Sequence, residues 1–312
     1  MAEYTSKLII IGSGPAGYTA GIYAARAGLN PILVAGNQIG GQLTMSTTIE
    51  NFPGFQNPIS GIELMENIRI QAINTGVKII EDKITEVDFS NRPFVLSSEK
   101  GNSYTAYSVI IATGSSAKWL ELESEKKYIG FGVSACATCD GFFYKNKTVA
   151  VIGGGNSAAE EALYLTNFAA KVFLIHRRDI LRADSVMQKR LKENPKITIL
   201  WNSVLKEVTG TSTPKSVTGI TIKNVKTDAL ENLNVDGVFV AIGHKPNTEI
   251  FKEFIELNET GYIKTLPDST QTNIKGVFAA GDVKDPRFRQ AITAAGSGAT
   301  AAMEATKFLS EN

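Results

Sequence analysis

Two stretches of this chain share one pattern of hydrophobic and polar positions: a short apolar run, a glycine-rich turn and an alanine-rich helical segment. In the first, an apolar run over residues 8–11 precedes a helix predicted over residues 18–27, with Gly28 as its C′ residue. In the second, the apolar run begins at Thr148. A strand, a tight turn and a helix open a βαβ unit. The pattern therefore predicts an α/β fold with two Rossmann-like domains.

The rest of the chain alternates between apolar runs and turn-rich segments. Residues 36–61 carry five glycines and two prolines, and so long an irregular segment is usually functional, a plain connecting loop being the alternative. The polar segments 115–128 and 243–247 are predicted linkers between the domains. Periodicity predicts helices at residues 61–75 and 290–309. It predicts strands at residues 32–34, 78–96, 107–111 and 171–175, and alternating strand patterns continue from there through residue 240. A last strand is predicted at residues 276–283, with an acidic residue, Asp282, near its end.

The first glycine turn has the spacing of a dinucleotide-binding motif. Gly12 makes the tight turn, Gly14 lets the backbone approach a pyrophosphate, and Gly17 lets the helix pack closely on the strand. The strand before it and the helix after it favour a nucleotide site over a purely structural turn. The acid that commonly follows about 20 residues later is absent, because residues 35–37 are Ala-Gly-Asn. The adenosine ribose is therefore expected to find its partners elsewhere.

The second glycine turn is followed by basic residues. The strand predicted at residues 171–175 leads into His176, Arg177 and Arg178, and Arg182 follows a turn later. An acid at this place would accept the ribose 2′-hydroxyl of NAD, whereas arginines bind a 2′-phosphate bidentately. The pattern favours NADPH, with a solvated basic surface as the alternative.

The two cysteines of the chain, Cys136 and Cys139, lie just ahead of the second glycine turn. Cys-x-x-Cys spacing favours a redox dithiol, because the sulfurs can form a disulfide and the motif can lower a thiol pKa. Inert buried cysteines and half of a zinc site are the alternatives, but zinc needs four ligands and the chain offers only two histidines besides. Asp140 is the predicted acid/base, since dithiol chemistry requires proton transfer; charge complementarity at a helix N-terminus is the alternative.

Composition narrows the class of protein. The 32 basic and 31 acidic residues among 312 leave a formal charge of +1, which gives no reason to expect a nucleic acid or a membrane as partner. No apolar run approaches the roughly 20 residues that span a bilayer, and the first residues lack a signal-peptide pattern. Two cysteines so close together fit a reducing cytosol better than a disulfide-stapled secreted protein. No metal is expected.

Taken in chain order, these motifs resemble those of the bacterial-type, low-molecular-weight thioredoxin reductases. The most specific segment is Cys-Ala-Thr-Cys-Asp at residues 136–140. Phe52 stands where an aromatic residue, often Trp, is usual in that family. The matching segments span nearly the whole chain and are residues 12–17, 40–43, 50–54, 112–114, 134–141, 153–158, 176–178, 281–283 and 289–291.

The resemblance implies a discontinuous FAD domain of residues 1–116 and 247–312, with an NADPH domain of residues 117–246 inserted and carrying the dithiol. It implies non-covalent binding of FAD by Gly12, Ser13, Gly14, Pro15, Ala16, Gly17, Asn37, Gly41, Gln42, Leu43, Asn51, Ala112, Thr113, Gly114, Gly281, Asp282, Arg289, Gln290 and Ala291. It implies binding of NADPH by Gly153, Gly154, Gly155, Asn156, Ser157, His176, Arg177, Arg178 and Arg182.

The resemblance also implies a path for electrons, from NADPH through FAD to the Cys136–Cys139 disulfide and on to oxidised thioredoxin. Cys139 would lie nearer the flavin, Cys136 would attack thioredoxin, and Asp140 would act as acid/base. The inserted domain would rotate about linkers at residues 115–118 and 243–247. Members of the family are typically cytoplasmic homodimers.

Other functions are weighed against the same residues. A related reductase could serve another protein disulfide or a peroxidase partner. The ferredoxin–NADP reductase branch shares both nucleotide motifs but lacks the Cys-x-x-Cys pair. A nucleotide-binding protein without turnover would be expected to lose part of the dithiol, Asp140 or the arginines, and a dithiol oxidase using oxygen would not need the arginines. His244 has no assigned role beyond that of a structural histidine.

Overall fold

The chain folds into two compact units in a computed structural model that describes residues 2–311. The first unit comprises Met1–Ser116 and Lys245–Asn312, and the second comprises Ala117–His244. The second unit is thus inserted into the first, and the predicted α/β class is confirmed. The chain passes back from the second unit to the first between residues 244 and 245, whereas the family resemblance implies residues 246 and 247 for this second crossing.

Before it passes into the second unit at residue 117, the chain forms a mainly parallel sheet with helices packed on it. The first strand of the chain lies in the middle of this sheet and pairs in parallel on both sides, with its Ile10 opposite Leu33 and Ile110. Gly28 has φ +79° and follows the first helix as predicted. The elements are β1 (Glu3–Ile11), α1 (Pro15–Arg26), β2 (Ile32–Val34), α2 (Gly61–Asn74), β3 (Lys78–Ile80), β4 (Ile84–Asp88), β5 (Phe94–Ser98) and β6 (Ser103–Ile111).

The next stretch of chain makes the second unit. The elements are β7 (Ser115–Ala117), α3 (Glu123–Tyr128), β8 (Val133–Ser134), α4 (Ala137–Asp140), β9 (Thr148–Gly153), α5 (Asn156–Leu165), β10 (Lys171–Ile175), α6 (Ser185–Glu193), β11 (Ile197–Leu200), β12 (Ser203–Ser212), β13 (Lys215–Asn224), β14 (Leu230–Asn234), β15 (Gly237–Ala241) and β16 (His244–Pro246). The parallel sheet of this unit has the order β11-β10-β9-β15-β8, and β12-β13-β14 form a separate antiparallel sheet.

The segment 115–128 is more than the linker that its polar composition predicts. Helix α3 lies within it, and Glu125 and Tyr128 are fully buried or nearly so. Tyr128 belongs to the core on one face of the second sheet, and Trp119 packs against that core. Only the start of the segment is a crossing, where β7 pairs with β16 in a two-stranded sheet.

The chain ends with β17 (Val277–Ala279) and α7 (Ala291–Glu311). Strand β17 pairs in parallel with β6, which completes a seven-stranded sheet that also contains β3-β2-β1-β6-β5-β4. The prediction of a strand through residue 283 is wrong at its end. Gly281 has φ +73°, a left-handed conformation that strands do not contain, and Gly281–Val283 is a 3-10 helix carrying Asp282.

Each large sheet is buried on both faces. In β1, Leu8 and Ile10 face a core built with α1, α2 and α7, while Ile9 and Ile11 face a second core that includes Phe251. Side chains alternate across a strand, so one apolar run serves two cores. Each such side chain stabilises the fold by roughly 1.5–3 kcal/mol. The same alternation recurs in β9 of the second unit.

Candidate active site

The first glycine turn lies where β1 and β6 end. Gly12 has φ +110°, and a Cβ added there would lie 2.3 Å from the carbonyl oxygen of Ala112. A Cβ at Gly17 would lie 1.9 Å from the carbonyl oxygen of Gly12, so only glycine allows the helix to pack this closely. Gly14 is the N-cap of α1 with ordinary backbone angles, and no described atom beyond its neighbours lies within 4 Å of a Cβ built there. The N-terminus of α1 is therefore open.

The irregular segment 36–61 packs against this turn. The buried Ser13 hydroxyl donates to the carbonyl oxygen of Ala35 (2.7 Å) and accepts from the amide of Gly40 (3.1 Å). A Cβ at Gly41 would lie 3.2 Å from the Cα of Gly14. Gly41 opens the 3-10 helix Gly41–Met45, which contains Gln42 and Leu43. The start of this segment thus packs directly against the first glycine turn.

A segment from the C-terminal part of the chain also packs against the first glycine turn. A Cβ at Gly281 would lie 2.9 Å from the Cβ of Ala16, so this segment packs directly on α1. The next residue, Asp282, has a partly buried side chain. Burial, and then the charge of Asp285, raise the pKa of Asp282 to about 6, and the charge of Arg289 opposes them. A carboxyl with a raised pKa thus lies on the segment that contacts the first glycine turn.

Two residues predicted for one site meet although 239 positions separate them. The side-chain amide of Asn51 donates to the Oε1 of Gln290 (3.3 Å). Gln290 comes directly before Ala291, the first residue of α7, and Arg289 donates from Nη1 to the carbonyl oxygen of Pro286 (2.9 Å). Asn37, on the same irregular segment as Asn51, is exposed.

The predicted segment 112–114 is held by Asn247, which the sequence predicts only as the last residue of a linker. The Thr113 hydroxyl donates to the Asn247 carbonyl oxygen (2.8 Å), and the Asn247 side-chain amide donates back to the Thr113 carbonyl oxygen (2.8 Å). The amide of Asn247 also donates to the carbonyl oxygen of Gly114 (3.0 Å). These bonds tie together the two parts of the chain that form the first unit.

The second glycine turn is enclosed by the basic loop that follows β10. A Cβ at Gly154 would lie 2.2 Å from the ring of His176, and a Cβ at Gly153 would lie 2.5 Å from the carbonyl oxygen of Ala241. The ring nitrogens of His176 lie 2.9 Å from the carbonyl oxygens of Gly153 and Ile180. The side chain of His176 therefore shapes the loop, while its contact with a nucleotide stays a prediction.

The arginines of this loop are available to an anion. Arg177, Arg178 and Arg182 are all exposed. The amide of Arg182 donates to the carbonyl oxygen of Gly154 (2.7 Å), which holds the loop against the turn. The Asn156 side chain accepts from the amide of Asp184 (2.8 Å), and Gly155 is the N-cap of α5, where Ser157 lies in the first turn. Three exposed arginines thus lie on one loop that is hydrogen-bonded to the second glycine turn.

The Cys-x-x-Cys motif forms a disulfide between Cys136 and Cys139, with Cα atoms 5.3 Å apart. The pair accounts for both cysteines of the chain. The amides of Cys139 and Asp140 both donate to the carbonyl oxygen of Cys136 (3.3 and 3.2 Å) and close the short turn α4. Among residues 2–311, no three His, Cys, Asp or Glu side chains come together as a metal site.

Two hydroxyl groups that sequence reasoning missed contact this motif. The Ser134 Oγ accepts from the amide of Cys136 (3.0 Å), and the Thr138 Oγ1 lies 3.3 Å from the Cys136 Sγ. Burial raises the pKa of the Asp140 carboxyl, and a hydrogen bond from Ser134 opposes that rise. The sequence signal for Ser134 and Thr138 is that each hydroxyl residue lies two positions from Cys136, one before it and one after it.

The disulfide turn packs against α5, the helix that begins at the second glycine turn. A Cβ at Gly141 would lie 3.2 Å from the Cδ2 of Leu165, near the end of that helix. Burial, and then the charges of Asp140 and Asp236, raise the pKa of Tyr144 to about 12. The second unit thus carries a disulfide, a carboxyl with a raised pKa at Asp140 and a glycine turn next to a basic loop.

Comparison with known proteins gives consistent results along the whole chain. Residues 6–298 match the model of the pyridine nucleotide-disulphide oxidoreductase family. A thioredoxin reductase of Rickettsia bellii is 57% identical over 309 residues, covering 99% of this chain and 100% of that protein. The thioredoxin reductase of Escherichia coli O157:H7 is 54% identical, covering 97% of this chain and 96% of that protein.

Solved structures agree with these relatives. Thioredoxin reductase from Streptococcus pyogenes superposes with a TM-score of 0.94 at 39% identity, covering 99% of both chains. The enzyme from Giardia duodenalis superposes with a TM-score of 0.93 at 41% identity, covering 98% of this chain and 99% of that one. Within the described part of the chain, no helix is both long and apolar enough to cross a membrane.

Proposed function

Because the chain belongs to the thioredoxin reductases of the pyridine nucleotide-disulphide oxidoreductase family, we propose that it reduces oxidised thioredoxin with electrons from NADPH. The observation that carries this proposal lies within the second unit. There a Cys136–Cys139 disulfide packs on α5, and α5 begins at a glycine turn that is hydrogen-bonded to a loop with three exposed arginines. This combination suits an enzyme that draws electrons from a phosphorylated nicotinamide nucleotide and delivers them to a disulfide.

The first unit is proposed to hold FAD without a covalent bond, through the residues named above for that site. Two features support the fit. The N-terminus of α1 is open at Gly14, and backbone N–H groups at a helix N-terminus suit a pyrophosphate. The partly buried carboxyl of Asp282, on the segment that contacts the turn, suits a sugar-like hydroxyl. When bound, FAD supplies a two-electron link between a nicotinamide hydride and a disulfide.

The second unit is proposed to hold NADPH. The glycine turn 153–155 would present the N-terminus of α5 to the pyrophosphate. The exposed Arg177, Arg178 and Arg182 would bind the 2′-phosphate. His176 supports this arrangement through its two backbone contacts. The arginines account for a preference for NADPH over NADH.

The dithiol carries out the exchange with thioredoxin. The Cys136 thiolate attacks one sulfur of the thioredoxin disulfide, so that a mixed disulfide forms and the other thioredoxin sulfur leaves with the electron pair. The Cys139 thiolate then attacks Cys136, which reforms the Cys136–Cys139 bond and releases the second thioredoxin sulfur. Asp140 carries a proton to or from these sulfurs, a role that suits a carboxyl whose pKa is raised by burial. Two electrons and two protons pass to thioredoxin in one cycle.

Anaerobic titration of the purified holoprotein, with flavin absorbance as the signal, tests the proposal. NADPH should bleach the flavin, and oxidised thioredoxin should restore its absorbance. A Cys136→Ser protein, which retains both nucleotide turns, should bleach without recovery. If the wild-type protein bleaches but does not recover, thioredoxin is not its partner and another protein disulfide takes that place. If NADPH does not bleach the flavin, the proposed function is wrong.

The two crossings of the chain are proposed to act as hinges between the units. They lie in β7 and β16, which pair in a two-stranded sheet. The dithiol has to meet both the flavin and thioredoxin in one cycle, and a hinge would allow both. Cross-linking residues 115–118 to residues 243–247 should stop turnover while the flavin stays bound. Unchanged turnover of the cross-linked protein would remove this hypothesis.

The protein is also proposed to be a cytoplasmic homodimer. Helix α2 exposes Ile62, Ile70 and Ile73, and α1 exposes Tyr23. Exposed apolar groups on adjacent helices are typical of a contact between subunits. Light scattering should give twice the mass of one chain, and an Ile62→Lys, Ile73→Lys protein should give the mass of one. A wild-type protein that is monomeric at high concentration would contradict the proposal.

A further inference from the structure

Thr138 lies inside the Cys-x-x-Cys motif, and its hydroxyl oxygen is 3.3 Å from the Cys136 sulfur. A disulfide sulfur carries no proton, so the hydroxyl is the donor in this contact. Such a bond is weak while the sulfur is part of a disulfide, because neutral divalent sulfur is a poor acceptor. It becomes much stronger when the sulfur is a thiolate, since hydrogen bonds to a charged acceptor are about twice as strong as neutral ones.

The contact depends on a local turn and not on the disulfide itself. Cys136 and Thr138 are two positions apart in one short segment. The segment is closed by backbone bonds from the amides of Cys139 and Asp140 to the Cys136 carbonyl oxygen, and by the bond from the Cys136 amide to Ser134. None of these bonds requires the sulfur–sulfur bond. The backbone that brings Thr138 close to Cys136 is therefore kept after reduction, and the hydroxyl can reach the sulfur in the rotamer seen here.

The titratable groups on the elements around this turn are mostly acidic. The acidic groups are Asp140 on α4, Glu160 and Glu161 on α5, and the phenols of Tyr144 and Tyr164. The basic groups are Lys145 and Lys147, and the Lys147 Nζ lies 5.6 Å from the centre of the Tyr144 ring. A carboxylate close to a thiol disfavours the thiolate. A neutral hydroxyl donor in direct contact with the sulfur favours it.

We propose that Thr138 is a catalytic residue of the dithiol, whose hydroxyl stabilises the Cys136 thiolate in the reduced protein and thereby sets the pH range in which Cys136 attacks a protein disulfide. This deepens the function proposed above and rests on it. Thr138 gives up no proton in the step. Its hydroxyl donates to the thiolate before attack, and the bond weakens as the thiolate electron pair becomes the new sulfur–sulfur bond and the partner's sulfur leaves with the old one.

The chain has only two cysteines, so a Cys139→Ser protein has Cys136 as its one thiol. The rate at which iodoacetamide alkylates this protein across pH gives a midpoint that reports thiolate formation at Cys136. When Thr138→Val is added to the Cys139→Ser protein, the midpoint should move to higher pH. The alkylation rate at neutral pH should fall roughly tenfold, which is the effect expected from losing one hydrogen bond to a charged group. Thr138→Ser, which keeps the hydroxyl, should restore the midpoint.

Cys136→Ser is the matched control, because it leaves Cys139 as the one thiol. Adding Thr138→Val to this protein should leave the midpoint unchanged. An unchanged Cys136 midpoint, or an equal shift at both cysteines, would overturn the proposal. The midpoint is the deciding readout and not the rate alone, since a less basic thiolate is also intrinsically less nucleophilic.

Failure of this inference is distinct from failure of the proposed function. Alkylation requires neither NADPH nor a protein disulfide, so it reports on Thr138 whatever the partner is. Bleaching of the flavin by NADPH and its recovery with thioredoxin test the function in the wild-type holoprotein. Slow thioredoxin reduction by Thr138→Val with an unchanged Cys136 midpoint would assign Thr138 a structural role and reject the catalytic one.

Discussion

At Asp140, burial changes the chemistry of an ordinary side chain. Burial raises the pKa of its carboxyl, and a hydrogen bond from Ser134 opposes the rise. Ser134 also accepts from the amide of Cys136, so one hydroxyl contacts both the Asp140 carboxyl and the Cys136 backbone. The carboxyl keeps its proton to a higher pH than an exposed aspartate, which suits it to protonate a sulfur.

Replacing Asp140 by Asn should slow the reduction of thioredoxin by about 100-fold or more, the usual contribution of a positioned acid/base. Bleaching of the flavin by NADPH should change little, because that step uses no thiol proton. Stopped-flow absorbance separates the two steps. Equal slowing of both would mean that the substitution disturbs the fold.

The Ser134 hydrogen bond has its own predicted effect on pH dependence. It lowers the pKa of Asp140, so Ser134→Ala should raise that pKa further and move the limb of the rate profile governed by Asp140 to higher pH. Ser134→Thr keeps a hydroxyl and serves as the control. A limb that stays in place in Ser134→Ala would show that the bond does not act on Asp140.

Asp82 illustrates the opposite case. Burial would raise its pKa, but hydrogen bonds from Ser98, Asn102, the amide of Lys83 and Tyr104 outweigh burial and lower the pKa to about 2. A lowered pKa in the folded state stabilises the protein above the ordinary value of 3.8, and this stability is lost as the pH falls toward 2. The network therefore stabilises the folded β5–β6 hairpin at neutral pH.

Asp82→Asn should remove about 2 kcal/mol from the free energy of unfolding at neutral pH. The difference from wild type should shrink as the pH falls through the interval between the two pKa values. Denaturant unfolding across acid pH measures this. Glu259→Gln, which removes an exposed carboxylate, is the control. A difference that does not depend on pH would contradict the assignment.

At the scale of elements, the strand–turn–helix unit places an open helix N-terminus at the end of a sheet. Gly12 and Gly17 make the close packing possible, since a Cβ at either would overlap backbone atoms. Gly14 is different, because its backbone angles are ordinary and the space beside it is open. The three glycines of this motif thus differ: Gly12 and Gly17 allow close packing, whereas Gly14 leaves open space beside the helix N-terminus.

The two glycines make a matched pair of substitutions. Gly17→Ala should destabilise the protein by roughly 1–3 kcal/mol or more, because its Cβ would lie 1.9 Å from a backbone oxygen. Gly14→Ala should leave the stability of the flavin-free protein near that of wild type but weaken FAD binding. Thermal unfolding of the flavin-free proteins and flavin titration give the two results. Equal instability of both variants would contradict this division.

At the scale of the whole molecule, the second unit is inserted between two ends that lie close together. Thr113 and Asn247 hydrogen bond to each other on the first unit, just outside the two crossings. The inserted unit has two apolar cores of its own on the faces of its sheet. A unit with a complete core and adjacent ends has the features of an independent folding domain.

Residues 117–244, produced alone, should therefore unfold cooperatively and bind 2′,5′-ADP. Calorimetry measures both. Arg178→Gln in the same fragment should weaken the binding without changing the unfolding temperature, because Arg178 is exposed. A fragment that shows no cooperative transition would mean that the inserted unit depends on the first one for its stability.

The sequence predicts the fold better at its repeated units than between them. Runs such as residues 8–11 and the helix after them follow from local periodicity, and the observed β1 and α1 differ from the predictions mainly at their ends. Local periodicity does not predict the structure of segment 115–128. Its composition is polar, yet Tyr128 and Glu125 are buried, because strands far along the chain pack against this segment. Asn247 escapes prediction for the same reason.

The sequence by itself determined the two glycine turns, the disulfide pair and the arginines after β10, because each depends on residue types within a dozen positions. A left-handed φ at Gly12, a bridge between cysteines three apart and a cluster of like charges are all local properties. Tertiary structure alone decided the rest: the contact of Asn51 with Gln290 and the raised pKa of Asp282. Desolvation and long-range hydrogen bonds depend on which distant segments pack together, and no local pattern encodes that.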